Sequence, residues 1–227
     1  MVGAAMLYTV GARLGARFMA ADFGFVRSVF AERATGLRRL WKDPEALRGI
    51  LDLKEVLRAL LERPCALGVS PAFYFYVLVR HRFLDEGIDD PELADYVAGV
   101  LAEKVEAAPE DPLRSLASGY TRVADFIAIM QRSHGRLRFH LQVAAGDQFL
   151  ALGGLYPGFI DRRARECGAP DAEFYDRFAR RVYSDAADNP VAPTDAPRRL
   201  YGELAEAMPQ ARRSLNRLAE EYVFLGD

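Results

Sequence analysis

Three groups of side chains have the types and spacing that chemistry requires. The first is Arg80-His81-Arg82, with Asp85, Glu86, Asp89 and Asp90 just beyond. His81 and Asp85 are four residues apart, so on a helix they share a face where an imidazole and a carboxylate can exchange a proton or hold a metal. A metal needs three or four ligands, and no second His-rich or Glu-x-x-His element accompanies this pair, so no metal site is predicted. Read structurally, the same cations complement the carboxyl end of a helix and pair with the acids that follow.

The second group runs from Gly146-Asp147 to Gly153-Gly154-Leu155-Tyr156-Pro157-Gly158. Gly146, Gly153 and Gly154, extended by Ala145 and Ala151, form one small-residue helix face that lets a flat ligand or a neighbouring helix approach the backbone closely. The aromatic run Phe73 to Tyr76 is its predicted neighbour. Asp147 is the acid predicted to be buried there, with tyrosine hydroxyls or Arg80 as partners. Tyr76, Arg80, His81, Asp147 and Tyr156 are therefore the candidate lining of a ligand pocket. The third group, Arg132, His134, Arg136, Arg138 and His140, is a candidate anion-binding cluster. Phe139 is its only interleaved aromatic, the net charge is −2, and no nucleic-acid-binding signature is present, so nucleic acid is not expected. There is no phosphate-binding glycine loop, GxSxG elbow, CxxC or dinucleotide fingerprint, and no residue is assigned a catalytic role.

Helices must position these groups, because strand signals are almost absent. Asp43-Pro44, Ser70-Pro71, Asp90-Pro91 and Asp111-Pro112 each set a capping side chain before a proline at the first helical position. Ser70-Pro71 opens the most telling element, a helix over about 71–86 that is apolar on every side and so must be covered all round. Leu93, Val97, Val100 and Leu101 recur at helical spacing, as do Leu113, Leu116, Tyr120, Val123, Ile127 and Met130. Later stripes pass through Phe174, Phe178 and Val182, and through Leu215, Leu218, Tyr222 and Val223. Polar and apolar residues alternate strictly from Arg132 to Val143, a strand pattern in isolation. A lone strand would leave its backbone unpaired, so a helix from near Gly135 toward Leu152 is predicted. Loops are predicted around Glu106 to Asp111 and around Asp188 to Pro197, and Pro209 should begin or kink the last helix.

The chain has 227 residues, 51% hydrophobic and 27% charged, with 30 basic against 32 acidic groups. That is enough to bury one large core, and the balanced charge gives no global pull toward polyanions. Cys65 and Cys167 are far apart and outside any ligand motif, which suits two reduced thiols in a cytosol. No apolar run is long enough to span a membrane. Residues 1–35, with Arg13 and Arg17 among small and apolar residues, read as a glycine-loosened helical extension rather than a targeting segment. The fold expected is all-α: a single globular domain, 1–227, of seven to nine helices around the helix at 71–86.

Two resemblances add to this reading. His140 to Arg163, with Leu152-Gly153-Gly154-Leu155-Tyr156-Pro157 and Arg162-Arg163, then Phe174-Tyr175 and Tyr183, resembles an uncharacterised bacterial all-helical family. Its members show a similar aliphatic helix ending in a Gly-Leu-aromatic-Pro turn and a similar Ser-Pro aromatic helix. That resemblance implies the all-helical fold and no assigned activity. Gly146-Asp147 with Gly153-Gly154 more weakly resembles the heme oxygenase-like proteins, whose distal helix kinks over a flat cofactor, and that would imply heme. Here five residues separate Asp147 from the glycine pair, a wider gap than in that family. The earliest histidine, His81, also comes well after the position where such proteins hold iron. The residues themselves predict no cofactor. The function expected is that of a non-catalytic cytoplasmic interaction or regulatory protein with a protein partner or as a homodimer. The alternative is a ligand-binding protein or enzyme with a pocket between the two central helices.

Overall fold

Asp22 is buried, and what surrounds it sets the start of two helices. The computed structural model describes residues 17–30, 43–63, 66, 68–106, 123–192 and 195–222, and its backbone contacts divide the chain into two compact units, one of residues 11–106 and one of 1–10 with 107–227. All ten helices among the described residues are α, and no strand occurs there. The first unit holds α1 (Ala20–Val29), α2 (Pro44–Leu51), α3 (Lys54–Glu62), α4 (Pro71–Asp85) and α5 (Pro91–Glu106). The second holds α6 (Val123–Arg132), α7 (Gly135–Leu155), α8 (Pro157–Cys167), α9 (Ala172–Ala187) and α10 (Asp195–Tyr222). The count exceeds seven to nine because the chain breaks at Asp52 and Leu53, so that α2 and α3 form two short helices.

In the first unit the junction chemistry acts as the sequence indicates. Asp43 accepts from the N–H of Glu45, Ser70 from that of Phe73, and Asp90 from those of Glu92 and Leu93. Each cap satisfies a donor that the first helical turn leaves without an intrahelical acceptor. Asp111-Pro112, with Leu113, Leu116 and Tyr120, lies outside the described residues. The helix α4 is the core of its unit: Phe73, Phe75, Tyr76, Val77, Leu78, Val79 and Phe83 are all buried, on every side of the rod. Its main neighbour is α5, whose buried stripe is Leu93, Val97, Val100 and Leu101, and α3 packs beside it. The turn after α4 closes with Gly87 at φ 80°, a backbone state that costs glycine little.

Asp22 ties α1 to α4. Its Oδ1 accepts from the Ser70 N–H at 2.7 Å, and its Oδ2 accepts from the Ser70 hydroxyl at 2.7 Å and the Met19 N–H at 2.6 Å. One carboxylate thus serves the amino ends of both helices, where backbone N–H groups and the helix dipoles favour negative charge. Phe25 of α1 then meets Phe73 of α4 edge-on at 5.9 Å.

In the second unit α7 is covered by α9 and α10, which also pack on each other. The alternating segment is helical, as its unpaired backbone requires. The stripe of α6 differs from expectation: Val123, Phe126 and Met130 are buried, while Ile127 is 40% exposed. Phe126 stacks edge-on against Phe149 of α7 at 5.8 Å, and this larger contact sets the helix rotation. The helix α10 starts at Asp195, inside the predicted loop, so Pro209 lies within the helix and does not begin it. Pro197 sits in its first turn, where a missing N–H costs nothing. At Pro209 the lost backbone bond is offset by a continuous buried stripe of Leu204, Met208, Ala211, Leu215 and Leu218. The helix α8 is anchored differently, with Ile160 as its only buried residue and Gly168 as a left-handed carboxyl cap.

Replacing Asp22 by Ala should lower the stability of the full chain by about 3 kcal/mol, because it strands the buried N–H and hydroxyl of Ser70 and the part-buried N–H of Met19. Ser70→Ala should cost about 1 kcal/mol. The double variant should lose less than the sum of the two, since the residues share two bonds. Urea titration of the four proteins measures the coupling.

Candidate functional site

In the first unit the helical spacing of Tyr76 and Arg80 stacks them one turn apart on α4, both buried. The Arg80 guanidinium forms a fork with Asp52, Nε to Oδ1 at 2.9 Å and Nη2 to Oδ2 at 2.8 Å, and Nη2 also donates to Asp89 at 2.6 Å. Burial acts to lower the pKa of Arg80, but the bonds to Asp52 and Asp89 outweigh it and hold the proton more tightly than in water. Its Nη1, like the Tyr76 hydroxyl and Arg48 Nε, is buried without a hydrogen-bond partner. Burial pushes the Tyr76 hydroxyl pKa up, with the charges of Asp52 and Asp95 adding to the effect.

His81 faces the carboxyl end of α2, where its Nε2 lies 3.1 Å from the carbonyl oxygen of Leu51. A carbonyl can only accept, so Nε2 carries the proton. Asp85 is bound instead by Arg82 at 3.2 Å, and the His81–Asp85 pair does not form. Burial is the main reason the imidazole pKa falls below its usual value. The Leu51 bond and the charges of Asp52 and Asp85 oppose that fall, while Arg80 assists it.

In the second unit the small-residue face of α7 is met by Tyr183 of α9 and by Arg212 and Leu215 of α10. A methyl group on Gly146 would lie 2.5 Å from the Tyr183 ring, and one on Gly154 would lie 2.6 Å from Leu215. The Tyr183 hydroxyl donates to Asp147 Oδ1 at 2.8 Å, and its ring stacks on Tyr201. Asp147 is only half-buried, contrary to expectation. Among the described residues the fully buried acid is Asp22, with Asp176 next at 9% exposure. Arg212 Nε donates to Asp176 at 2.7 Å and its Nη1 to Asn216. The Asn216 amide in turn reaches the carbonyls of Gly153 and Gly154, both at 2.8 Å. This relay closes the carboxyl end of α7. Desolvation raises the Asp176 pKa against the pull of Arg212.

Tyr76, Arg80 and His81 belong to the first unit and Asp147 and Tyr156 to the second. Tyr156 is largely exposed at the break between α7 and α8. The cationic cluster lies at the corner between α6 and α7: Arg132, His134, Arg136 and Arg138 are exposed, and His140 is half-buried. Phe139 is buried against Tyr201 and offers no stacking surface. Among the described residues no group of three or more His, Cys, Asp or Glu side chains could hold a metal ion. No helix among them is long and apolar enough to cross a membrane. Sequence reasoning missed Asp22, Asp52 and Asp176. Asp22 carried a signal, an acid three residues after the residue that precedes α1. Asp52 and Asp176 are partnered 28 and 36 residues away, with no local mark.

Comparison with known proteins adds no relative: no family model matches the chain, and no curated protein or solved structure matches it.

The His81 shift has a sign that can be checked. The folded state holds the imidazole below the unfolded value of about 6.5, so the unfolded chain takes up the proton first and stability falls as pH drops through about 6.5. His81→Gln, whose amide can still donate to Leu51, should lose less stability between pH 8 and pH 5 in urea titrations. Gly146→Ala should cost about 1–3 kcal/mol by driving a methyl into Tyr183. Gly158→Ala, where a methyl group meets nothing within 4 Å, is the matched control.

Proposed function

We propose that the protein is a non-catalytic interaction protein of the cytoplasm that binds an acidic partner protein through the corner between α6 and α7. The observation that carries this reading is electrostatic. Arg132 ends α6 and is exposed, and His134, Arg136 and Arg138 are exposed at the amino end of a helix 21 residues long whose first turn contains no acid. Cations are unfavourable there, because the helix dipole already places positive potential at that end. No described acid lies within ion-pair range of these four side chains, and the Arg132 guanidinium donates only to the carbonyl of Ala128. A partner with carboxylates would relieve that excess and gain speed of association from it.

The neighbouring surface selects among polyanions. Ile127 and Leu137 are exposed, at 40% and 39%, while the aromatic residue of the cluster is buried. Aliphatic groups beside guanidinium groups suit an amphipathic acidic segment, whereas single-stranded nucleic acid draws on exposed rings for stacking. The side chains capable of reaction support the same reading from the other direction. Arg80 is forked onto Asp52, His81 is bound to Leu51, and Asp147 receives Tyr183. Each is engaged in holding its own unit together. The exposed, free thiol of Cys167 suits a reducing compartment.

The test is fluorescence anisotropy at low salt with a labelled peptide alternating Glu and Leu, and with a labelled single-stranded RNA. The peptide should bind with an affinity that falls as salt rises. The triple variant Arg132→Ser, Arg136→Ser, Arg138→Ser should weaken it at least about tenfold. Binding of RNA but not peptide, or an unchanged affinity in the triple variant, overturns the assignment.

A further inference from the structure

The helix α3 carries an apolar stripe that its own unit does not cover. It packs on α4 and α1, and its buried residues are Val56, Ala59 and Leu60. Leu53, which precedes its first turn, and then Leu57 and Leu61 recur every four residues along an adjoining face. Leu53 and Leu61 are each 41% exposed, with Leu57 half-buried between them. Single exposed leucines are ordinary on a protein surface, but three in line along about 12 Å of helix are a surface for packing.

The charges beside the stripe show what would pack there. Lys54, Arg58 and Glu62 follow the leucines at the same spacing, one position on, and all three are exposed. Among the described residues none of the three forms an ion pair. Lys54 is the first residue of α3 and Glu62 the last, each at the end where the helix dipole disfavours its charge. Their placement therefore does not serve α3 itself. It does serve a reversed copy of α3. When two such helices run antiparallel about a twofold axis beside Leu57, Leu53 meets Leu61 of the second copy and the two Leu57 side chains meet each other. On the same flank Lys54 then faces Glu62 of the second copy, and the symmetry makes this pair twice. Arg58 approaches its counterpart near the axis, with Glu55 three residues before it and Glu62 four after it to offset the like charges. A parallel pair would set each charged row against the flank of Val56 and Leu60 and form no ion pair, so the order of charges selects the antiparallel arrangement.

We propose that α3 is the contact of a homodimer in which two copies of the chain pair antiparallel through Leu53, Leu57 and Leu61, with Lys54 and Glu62 fixing the direction. A helix of nine residues offers less than the roughly 800 Å² per partner of a standard interface, so the dimer is weak and forms at about 10–100 µM. The contact is independent of the corner between α6 and α7, since it draws on the first unit alone.

The experiment is sedimentation velocity of the full chain from about 1 to about 500 µM, a range that brackets that affinity. The wild-type chain should pass from monomer to dimer. Lys54→Glu sets acid against acid across the pair, and Glu62→Lys sets base against base, so each should weaken the dimer at least about tenfold. Both substitutions improve the match to the dipole of α3, so a loss of dimer does not report a loss of fold. An equimolar mixture of the two variants re-forms both ion pairs and should associate at least about tenfold more tightly than either variant alone. Leu61→Gln, at an exposed position, should also weaken the dimer. The proposal is overturned if the wild-type chain stays monomeric throughout, which leaves the stripe to a different partner. It is equally overturned by a dimer that the single charge variants leave unchanged, or by variants whose mixture associates no better than they do separately.

Discussion

A carboxylate with no access to water must be surrounded by donors, and in this protein that requirement brings two helix ends together. Asp22 accepts from Met19 and twice from Ser70, so α1 and α4 begin at a common point. Ser70 passes the constraint on by capping α4 through the N–H of Phe73. With its start fixed, the rotation of α4 is fixed too, and the direction of each side chain along it follows from the helical repeat. Tyr76, Arg80 and His81 take their places from this anchor. Removing a partner from such a group is costly because the buried charge remains.

The second unit is organised by close approach rather than by charge. At Gly146 and Gly154 the backbone of α7 is near enough to its neighbours that a single methyl group would collide with Tyr183 or Leu215. The space that a side chain would have filled is taken by large residues of α9 and α10, and dense packing follows. Polar bonds then fix the register. Tyr183 reaches Asp147, and the Arg212–Asn216 relay reaches the last carbonyls of α7.

Much of this was legible in the residues, and what was missed has a common cause. Signals that act within a few residues were read correctly, such as serine or aspartate before proline, the all-round apolar character of residues 71–84, and the small face of α7. The helix in place of an alternating strand was also recoverable, because backbone hydrogen bonds must be satisfied somewhere. Tertiary partners were not legible. The residues showed that something approaches Gly146 closely and did not show that it is Tyr183, 37 positions later. The acid expected to be buried was Asp147, but among the described residues the fully buried one is Asp22, whose partner Ser70 is 48 residues away. Ile127 and Phe126 compete for one buried face, and only the ring of Phe149 decides between them. The candidate pocket lining draws Tyr76, Arg80 and His81 from the first unit and Asp147 and Tyr156 from the second.

The sparse attachment of α8 has a consequence for exchange with solvent. A helix of 11 residues secured by Ile160 alone surrenders little buried surface when it lifts away. Its amide protons should therefore trade with deuterium through a local opening, well before those of α7 and α9, whose exchange requires the whole unit to come apart.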